Sequence, residues 1–194
     1  MAKKENVIVV KNFLNKNEID EALKILESKP KTVWEENPAT EIVSNTILEV
    51  SALVTKYAYK TSEIIKEKFN VKEELYCLTS HLGTWKNGEG LEIHDDTYGA
   101  SFTQFSSVIY LNDNYSGGKI MFPELDIALK PKAGDLLFFP SKGYWHEVSP
   151  VISGSRSTIV GFYTKASPDT WETYPKPEIS IFGSADYYSQ INKN

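Results

Sequence analysis

Between residues 75 and 164, short β-rich segments alternate with turn signals, and this alternation constrains the fold more than any other feature of the sequence. Dipeptides such as Asn87-Gly88 and Ser153-Gly154 separate the segments. The segments are residues 75–85, 91–95, 104–111, 119–122, 127–130, 135–139, 147–152 and 157–164. Because no helical stretch lies between them, the pattern excludes parallel βαβ units and predicts an all-β sandwich or jelly roll.

Two helices are predicted before this region, over residues 18–28 and 45–69. Their apolar residues recur at the spacing of one helical face. Residues 15–17 offer caps for the first helix, and Asn70 is a suitable end for the second. Neither helix contains an ionisable pair that resembles a site, so both are interpreted as supports for one face of the sheet. A short β-branched run at 7–10 predicts one further strand.

The chain is predicted to be a single domain over residues 1–194, because this length suits one domain with a substantial core. It divides into helical support at 15–70, a β core at about 75–164 and an aromatic tail at 166–194. The tail is too aromatic for a free linker. It is expected to pack on the barrel, to cover the site or to contact a second subunit, and the sequence does not decide the oligomeric state.

Charge and cysteine content narrow the functional class. The net charge of −5 and the pI near 5.3 argue against nucleic-acid binding, which requires a basic face. The single cysteine, Cys77, cannot form an internal disulfide. The apolar run at 7–10 is too short for a signal-peptide core or a membrane span. A soluble, cytoplasmic protein without a membrane partner is therefore expected.

His94 and Asp96 form an H-x-D triplet at the end of a predicted strand. Side chains at i and i+2 leave the same face of a strand, with Cα atoms about 6–7 Å apart, so both can reach one metal ion. Asp95 points to the opposite face of a regular strand and is the less favoured ligand, although a bend there could exchange the two aspartates. Such triplets are common by chance, and this one indicates a metal site only in combination with other features.

His146 is the expected third ligand, because it follows one predicted strand and opens the next. Two histidines and one carboxylate leave metal positions open for a bidentate co-substrate and O2, which is the arrangement of non-haem Fe(II) oxygenases. The remaining histidine, His81, has no partner at a suitable spacing and is interpreted as a packed core or rim residue.

Arg156 is the only positively charged residue in the largely apolar stretch 148–163. A buried arginine requires an anion, and a guanidinium binds a carboxylate through two hydrogen bonds. A dicarboxylic acid could chelate the metal at one end and reach Arg156 at the other. Thr158, on the same strand face, would add a hydroxyl donor. The alternative is an ion pair between Arg156 and an acid of the chain such as Asp135.

In combination these residues resemble the prolyl 4-hydroxylase-like branch of the 2-oxoglutarate/Fe(II)-dependent oxygenases. The likeness rests on H-x-D, a Gly-Gly turn followed by Phe-Pro, a Pro-x-x-Gly-Asp strand, a histidine with Pro-Val downstream and then a basic residue. It covers most of residues 7–164. The fold it implies is mainly β, a double-stranded β-helix (a cupin-like jelly roll), with the N-terminal helices as support.

The resemblance implies that His94, Asp96 and His146 bind the iron and that Arg156 anchors the distal carboxylate of 2-oxoglutarate. It also implies that Tyr110 hydrogen-bonds this carboxylate, with a core aromatic as the alternative. The implied cofactor is Fe(II), the co-substrates are 2-oxoglutarate and O2, and ascorbate is an optional addition. The implied reaction hydroxylates an unactivated C–H bond and releases succinate and CO2.

The resemblance favours a prolyl residue in a peptide or protein as the substrate, with free proline or another small molecule as the alternative. Collagen-type relatives carry a lysine where Arg156 stands, so the substrate is less defined than the chemistry. Trp85, near the place of a family tyrosine, flanks the predicted site in sequence together with Tyr98 and Trp145. These three residues are expected at the mouth of the site.

Three other classes of protein compete with this interpretation. A cupin-like metal-binding module without oxygenase activity would explain the histidines and the aspartate but not Arg156. A zinc hydrolase would need a general-base glutamate, and none is clearly placed. A nucleic-acid demethylase of the same superfamily usually carries a second arginine shortly after the first, and residues 157–164 contain none.

Overall fold

The computed structural model describes residues 1–30, 34–37, 40–43, 47–97 and 102–167. In these residues the chain forms two α-helices, α1 (Lys16–Ser28) and α2 (Leu48–Phe69). Its strands are β1 (Ile8–Val10), β2 (Trp34–Asn37), β3 (Thr40–Val43), β4 (Tyr76–Trp85), β5 (Leu91–His94), β6 (Phe105–Tyr110), β7 (Ser116–Gly117), β8 (Ile120–Phe122), β9 (Ile127–Leu129), β10 (Leu136–Pro140), β11 (His146–Val148), β12 (Val151–Ser153) and β13 (Arg156–Thr164). All but two residues of the predicted tail lie outside the described part, so the division into one domain stays a prediction.

The strands form two large antiparallel sheets and one small one. The first sheet has seven strands in the order β1-β10-β6-β13-β4-β3-β2, and the second has four in the order β5-β11-β8-β9. β12 and β7 form the small sheet. Val108 and Leu137 of the first sheet pack with Ile120 and Phe122 of the second in one apolar cluster. The predicted architecture, mainly β with two supporting helices, is confirmed.

Local hydrogen bonds account for the helix ends that the sequence predicts. The Asn15 side chain accepts the Glu18 N–H, and the Glu18 carboxylate accepts the Asn15 N–H, which forms a capping box before α1. α2 ends at Asn70, whose left-handed backbone (φ 53°) allows its N–H to reach carbonyls of the last turn. Neither described helix combines the length and the apolar composition that crossing a membrane requires.

The strand predicted at 147–152 is wrong as a single element, because the structure has β11 and β12 in different sheets. Pro150 lies between them and has no backbone N–H to donate to a ladder. Its neighbours Ser149 and Val151 donate instead to the carbonyls of Lys119 and Glu89. β11 pairs with β5 and β8, whereas β12 pairs with β7.

The sequence did not predict β2, β3 and β7. β2 and β3 pair with each other, and β3 joins the edge of β4. Their sequences, WEEN and TEIV, lack the longer apolar alternation that identifies a strand. β7 contains Gly117, which suggested a turn. Its φ of +72° and its contact with the Pro150 carbonyl, 2.1 Å from where a Cβ would lie, require glycine beside β12.

The seven-stranded sheet has two faces of different character. On one face, which we call the helix face, a row of register partners packs with residues of α1 and α2: Leu82, Ile159, Ile109 and Leu136. On the opposite face, the cavity face, the adjacent row consists of His81, Val160, Val108 and Leu137. Each fully buried aliphatic side chain on the helix face contributes about 1.5–3 kcal/mol to folding. The helix face therefore belongs to the main core, and the cavity face looks toward the second sheet.

Candidate active site

A cavity of about 220 Å³ lies between the two large sheets. Five of the predicted site residues line this cavity: Trp85, His94, Asp96, His146 and Arg156. They come from the ends of β4 and β5, from the start of β11 and from the start of β13. Folding thus gathers side chains that are widely separated along the chain into one space.

The register of two strands places the histidines together. His94, the last residue of β5, is the antiparallel partner of His146, the first residue of β11. Directly opposed residues have neighbouring side chains, and the two ring centroids are 4.3 Å apart. The Asp96 carboxylate lies beside both rings, with its oxygens 3.4 Å from His94 Nε2 and 3.7 Å from His146 Nε2.

The sequence had suggested that Asp96 lies on the same strand as His94. In the structure Asp96 instead reaches this position through a turn. β5 ends at His94, one residue before the predicted end. The neighbouring Asp95 holds the turn, because its carboxylate accepts hydrogen bonds from the N–H and the hydroxyl of Thr97 and from the N–H of Gly143. Asp95 is therefore a positioning residue for Asp96, and its own oxygens are engaged away from the histidines.

Backbone carbonyls determine which nitrogen each imidazole offers. His94 Nδ1 lies 2.8 Å from the Glu92 carbonyl, and His146 Nδ1 lies 2.9 Å from the Tyr144 carbonyl. A carbonyl only accepts hydrogen bonds, so Nδ1 carries a proton in both rings, and Nε2 is the nitrogen that offers a lone pair to a metal when the ring is neutral. One ligand atom from each of the three residues lies within 4.8 Å of the other two. This donor set fits a divalent transition metal such as Fe(II).

The electrostatics of the cluster favour an ionised Asp96. Burial would raise the pKa of Asp96, but the hydrogen bond from His94 and the nearby His146 lower it below its ordinary value. Burial opposes the charge of His94, yet its bonds to Asp96 and to the Glu92 carbonyl give a net raised pKa. Burial lowers the pKa of His146. The Asp96 carboxylate is therefore anionic and lies next to both imidazoles. Metal binding requires such a deprotonated carboxylate.

Arg156, the only arginine in the chain, is 2% exposed. Its Nη2 donates to the Tyr110 hydroxyl at 3.3 Å, and its guanidinium lies 5.1 Å from the Trp85 ring centre and 5.0 Å from that of Tyr110. Nε and Nη1 are buried without a hydrogen-bond partner among the described residues. A buried cation with free donors is costly unless it receives an anion, so this geometry indicates an anion site.

The alternative partner for Arg156, Asp135, is held elsewhere. The Asp135 carboxylate pairs with Lys11 at 2.7 Å and accepts the backbone N–H groups of Asn12 and Lys132. Burial would raise the pKa of Asp135, but these contacts lower it. The proposed internal ion pair with Arg156 is therefore wrong. Among the described residues, no carboxylate forms an ion pair with this guanidinium.

Residues 79–164 match the sequence model of the 2OG-Fe(II) oxygenase superfamily. This range contains Arg156 and the three residues of the metal-ligand cluster, His94, Asp96 and His146. Two histidines and one carboxylate form a donor set that can bind Fe(II), the metal in the superfamily's name. The matched segment is a 2OG-Fe(II) oxygenase domain.

Relatives of the oxygenase domain include prolyl hydroxylases. Over 70 residues the chain is 33% identical to prolyl 3-hydroxylase 2 from Homo sapiens, a match that covers 33% of this chain and 10% of the human protein. The viral collagen prolyl hydroxylase from Paramecium Bursaria Chlorella virus-1, solved with 2OG, superposes with a TM-score of 0.67 at 19% identity. That match covers 84% of this chain and 98% of the viral chain.

A prolyl hydroxylase from Trichoplax adhaerens, solved with a peptide fragment of hypoxia inducible factor, has the same fold. It superposes with a TM-score of 0.63 at 18% identity, over 84% of each chain. The likeness covers a larger share of the chain than the matched segment does. These structures confirm the predicted jelly-roll fold of the oxygenase domain.

The other predicted residues of the oxygenase domain are distributed unevenly. Trp85 lines the cavity, and Tyr110 is fully buried against Arg156. Thr158 is buried on β13 but is not among the cavity-lining residues. Trp145 is 44% exposed and borders a separate surface cleft with Lys142 and Tyr144. Tyr98 lies outside the described residues.

Sequence reasoning missed Tyr115, which packs near Arg156 in the oxygenase domain. Its hydroxyl is buried without a hydrogen-bond partner among the described residues. Burial raises the pKa of Tyr115 to about 12 against the opposing charge of Arg156. Gly118 allows both residues to pack closely, since a Cβ there would lie 3.0 Å from the Tyr115 ring and 3.1 Å from Arg156 Cδ. The Gly-Gly turn that follows Tyr115 was the available signal.

Sequence reasoning also left His81 out of the site, but the structure places it in the cavity wall. The side chain is partly buried, and its ring centroid lies 6.2 Å from that of Phe162. It does not belong to the metal-ligand cluster. The strand alternation carried the signal, because His81 and Trp85 differ by an even number of residues on β4 and so share a face.

Proposed function

We propose that this chain is a dioxygenase that uses Fe(II), 2-oxoglutarate and O2 to hydroxylate a prolyl residue in a peptide or protein. One oxygen atom enters the C–H bond as a hydroxyl, and the other enters succinate as 2-oxoglutarate loses CO2. The observation that carries the proposal is the presence, in one cavity, of a His-Asp-His cluster and a buried guanidinium with free donors. In a metal-binding module that binds no keto-diacid, this buried guanidinium would have no anion to pair with.

His94, Asp96 and His146 would hold the metal. When bound, iron supplies the redox chemistry that couples the decarboxylation of 2-oxoglutarate to the oxidation of a C–H bond. The protein keeps both Nε2 atoms directed at one point through the carbonyls of Glu92 and Tyr144. The Phe139 and Phe122 rings, 4.9 Å and 5.4 Å from the His146 ring, restrict its rotation.

Arg156 would receive the distal carboxylate of 2-oxoglutarate through its free Nε and Nη1. Each charge-assisted hydrogen bond of this kind contributes about 1.5–3 kcal/mol. Tyr110 holds Nη2 in place and is proposed to share the carboxylate. Thr158, two residues along β13, is proposed as a further hydroxyl donor. With one end fixed here, the 2-oxo acid end is oriented toward the cluster.

Apolar side chains around the cavity would exclude water from the reaction. Val108, Val160 and Ile120 line the same cavity as the metal-ligand cluster and Arg156. A dry wall strengthens the electrostatic contacts and limits side reactions of a reactive oxidant. It also suits the apolar ring of proline better than a charged side chain.

A prolyl substrate is supported by the relatives and by the charge of the protein. Prolyl 3-hydroxylase 2 and the two structural neighbours are named as prolyl hydroxylases, and one of the neighbours holds a peptide. The net charge of −5 disfavours a nucleic acid. The alternative within the same chemistry is free proline or another small molecule, and Trp85 is proposed to contact either substrate at the cavity.

Anaerobic titration with Fe(II) and 2-oxoglutarate tests the first half of the proposal. We expect a weak visible charge-transfer band in the wild type and none in Asp96→Ala. Glu124→Ala removes an exposed acid that does not line the cavity and should leave the band unchanged. A wild-type protein that binds Fe(II) but gives no band with 2-oxoglutarate would refute the assignment.

Product analysis tests the second half. With O2, Fe(II), 2-oxoglutarate and ascorbate, a panel of proline peptides and free amino acids is assayed for succinate and for a mass increase of one oxygen atom. We expect stoichiometric formation of succinate and hydroxylated peptide. Asp96→Ala should abolish both products while its thermal unfolding stays close to that of the wild type. Hydroxylation of free proline but of no peptide would favour the alternative substrate.

A further inference from the structure

His81 is the one polar side chain in an apolar row on the cavity face. Its register partner on β13 is Val160, which pairs in turn with Val108 on β6, and Val108 pairs with Leu137 on β10. His81, Val160 and Val108 all line the cavity. A leucine or valine at this position would make the row entirely apolar. The imidazole instead needs a hydrogen-bond partner, and the apolar side chains of the row cannot provide one.

The other polar groups of the cavity wall already have partners or assignments. The Ser106 hydroxyl bonds to that of Ser141 at 2.7 Å. The Ser107 hydroxyl donates to the Gly161 carbonyl or to the Tyr163 hydroxyl. His81 forms no hydrogen bond with any residue that the structure describes, and its ring packs near that of the apolar Phe162. Within the described wall, His81 and the Trp85 indole N–H are therefore the polar groups left for a substrate, and His81 is the one of the two that can also accept a hydrogen bond.

The protonation state of His81 limits what it can bind. Burial lowers the pKa of His81 to about 4, so at neutral pH the ring is uncharged. A neutral imidazole offers one N–H donor and one acceptor nitrogen. A peptide amide can engage either atom without bringing charge into the wall. A free amino acid would bring a carboxylate, and the one arginine in the cavity is assigned to 2-oxoglutarate.

We propose that His81 is a substrate-binding residue that hydrogen-bonds a backbone amide of the peptide beside the reacting residue. It thereby selects a residue flanked by peptide bonds over a free amino acid. This inference rests on the proposed function and names the group that the site recognises. The imidazole acts by binding and positioning the substrate, and no proton transfer is assigned to it.

A binding experiment tests the contact without turnover. The full chain carries isotope-labelled histidine, with Zn(II) in place of iron and with 2-oxoglutarate, and the His81 ring signals are identified by their absence in His81→Gln. We expect N-acetylated, C-amidated glycyl-prolyl-glycine to shift these signals, and free proline at the same concentration to leave them in place. Equal shifts with both probes, or no shift with the peptide, would overturn the proposal.

Kinetics of two variants test the consequence. We expect His81→Leu, which keeps the size and removes both polar atoms, to raise the KM for the blocked peptide about tenfold, the effect of one neutral hydrogen bond. Its kcat should stay within about threefold of the wild type on the same reasoning. His81→Gln, which keeps a donor and an acceptor, should restore most of the loss in KM.

Affinity for 2-oxoglutarate separates this role from a structural one. His81→Leu should bind 2-oxoglutarate as the wild type does, because His81 does not touch Arg156 or the metal ligands in any described contact. A parallel loss of 2-oxoglutarate affinity, or an unchanged KM for the peptide, would overturn the inference. The two proposals fail separately. Absence of the charge-transfer band in the wild type refutes the proposed function. A normal band, combined with His81 ring signals that the peptide does not shift, refutes only the inference.

Discussion

The two faces of the seven-stranded sheet are built from neighbouring residues of the same strands but are used differently. Leu82, Ile109 and Ile159 on the helix face are buried among apolar side chains of the sheet and of both helices. Their neighbours His81, Val108 and Val160 face a cavity. Because successive side chains of a strand point in opposite directions, one strand can supply stability on one face and a binding wall on the other.

The comparison explains how the fold accommodates a buried guanidinium. Removing apolar surface from water on the helix face contributes about 25 cal/mol per Å², and this face includes most of the main core. The cavity face carries Arg156, whose burial without an anion is unfavourable. We therefore expect substitutions on the helix face to change stability, and those on the cavity face to change binding.

The largest effect is expected for Arg156→Ala, on the cavity face. Loss of two charge-assisted hydrogen bonds, each about 1.5–3 kcal/mol, should raise the Kd for 2-oxoglutarate at least about 100-fold. The free energy of unfolding should not fall, because a buried cation with unpaired donors is removed. Anaerobic titration and urea unfolding measure the two quantities. An unchanged Kd would show that the carboxylate binds elsewhere, and Arg156→Lys, which keeps the charge, should be intermediate.

Leu82→Ala tests the helix face. Leu82 is completely buried, so truncation should lower the free energy of unfolding by about 2–5 kcal/mol. The Kd for 2-oxoglutarate should be the same as in the wild type at a temperature where the variant is folded. Val160→Ala is the matched control on the cavity face, because Val160 is only partly buried and borders the cavity. If Val160→Ala destabilised the protein as much as Leu82→Ala, the division between the faces would not hold.

Two adjacent phenylalanines on β10 sharpen the comparison. Phe139 packs 4.9 Å from the His146 ring, so Phe139→Leu should weaken Fe(II) binding about tenfold, as the loss of support behind a metal ligand generally does. Phe138 packs against Phe69 of α2, so Phe138→Leu should instead lower the free energy of unfolding by about 1 kcal/mol. Metal titration and urea unfolding of both variants measure the two quantities. Weaker Fe(II) binding in Phe138→Leu than in Phe139→Leu would contradict this assignment.

The smallest effect concerns acid stability. The pKa of His81 is lowered from 6.5 to about 4 by burial, so between these values the unfolded chain binds more protons than the folded one. The contribution of the neutral ring to stability is therefore complete above about pH 6.5 and is lost as the pH falls toward 4. His81→Gln should show a shallower loss of stability than the wild type between pH 7 and pH 5 in urea unfolding. Parallel profiles would contradict the lowered pKa.

Much of the fold was predictable, because the relevant signals are local. The capping box at Asn15 and Glu18 and the left-handed Asn70 act within one turn of chain, and turn signals separate most of the β-rich segments. The errors occurred where long-range pairing decides. Pro150 separates β11 from β12, and Gly117 belongs to a strand because β12 lies beside it.

The sequence by itself determined which residue types were available for chemistry and their order: H-x-D, a later histidine and one arginine. Only the tertiary structure decided that Asp96 enters through a turn held by Asp95, that Asp135 is occupied by Lys11 and that Arg156 is left with free donors. It also placed His81 in the cavity wall. The reason is physical: spacing along the chain specifies direction within one strand, whereas the partner of a side chain depends on which distant strands pair and in what register.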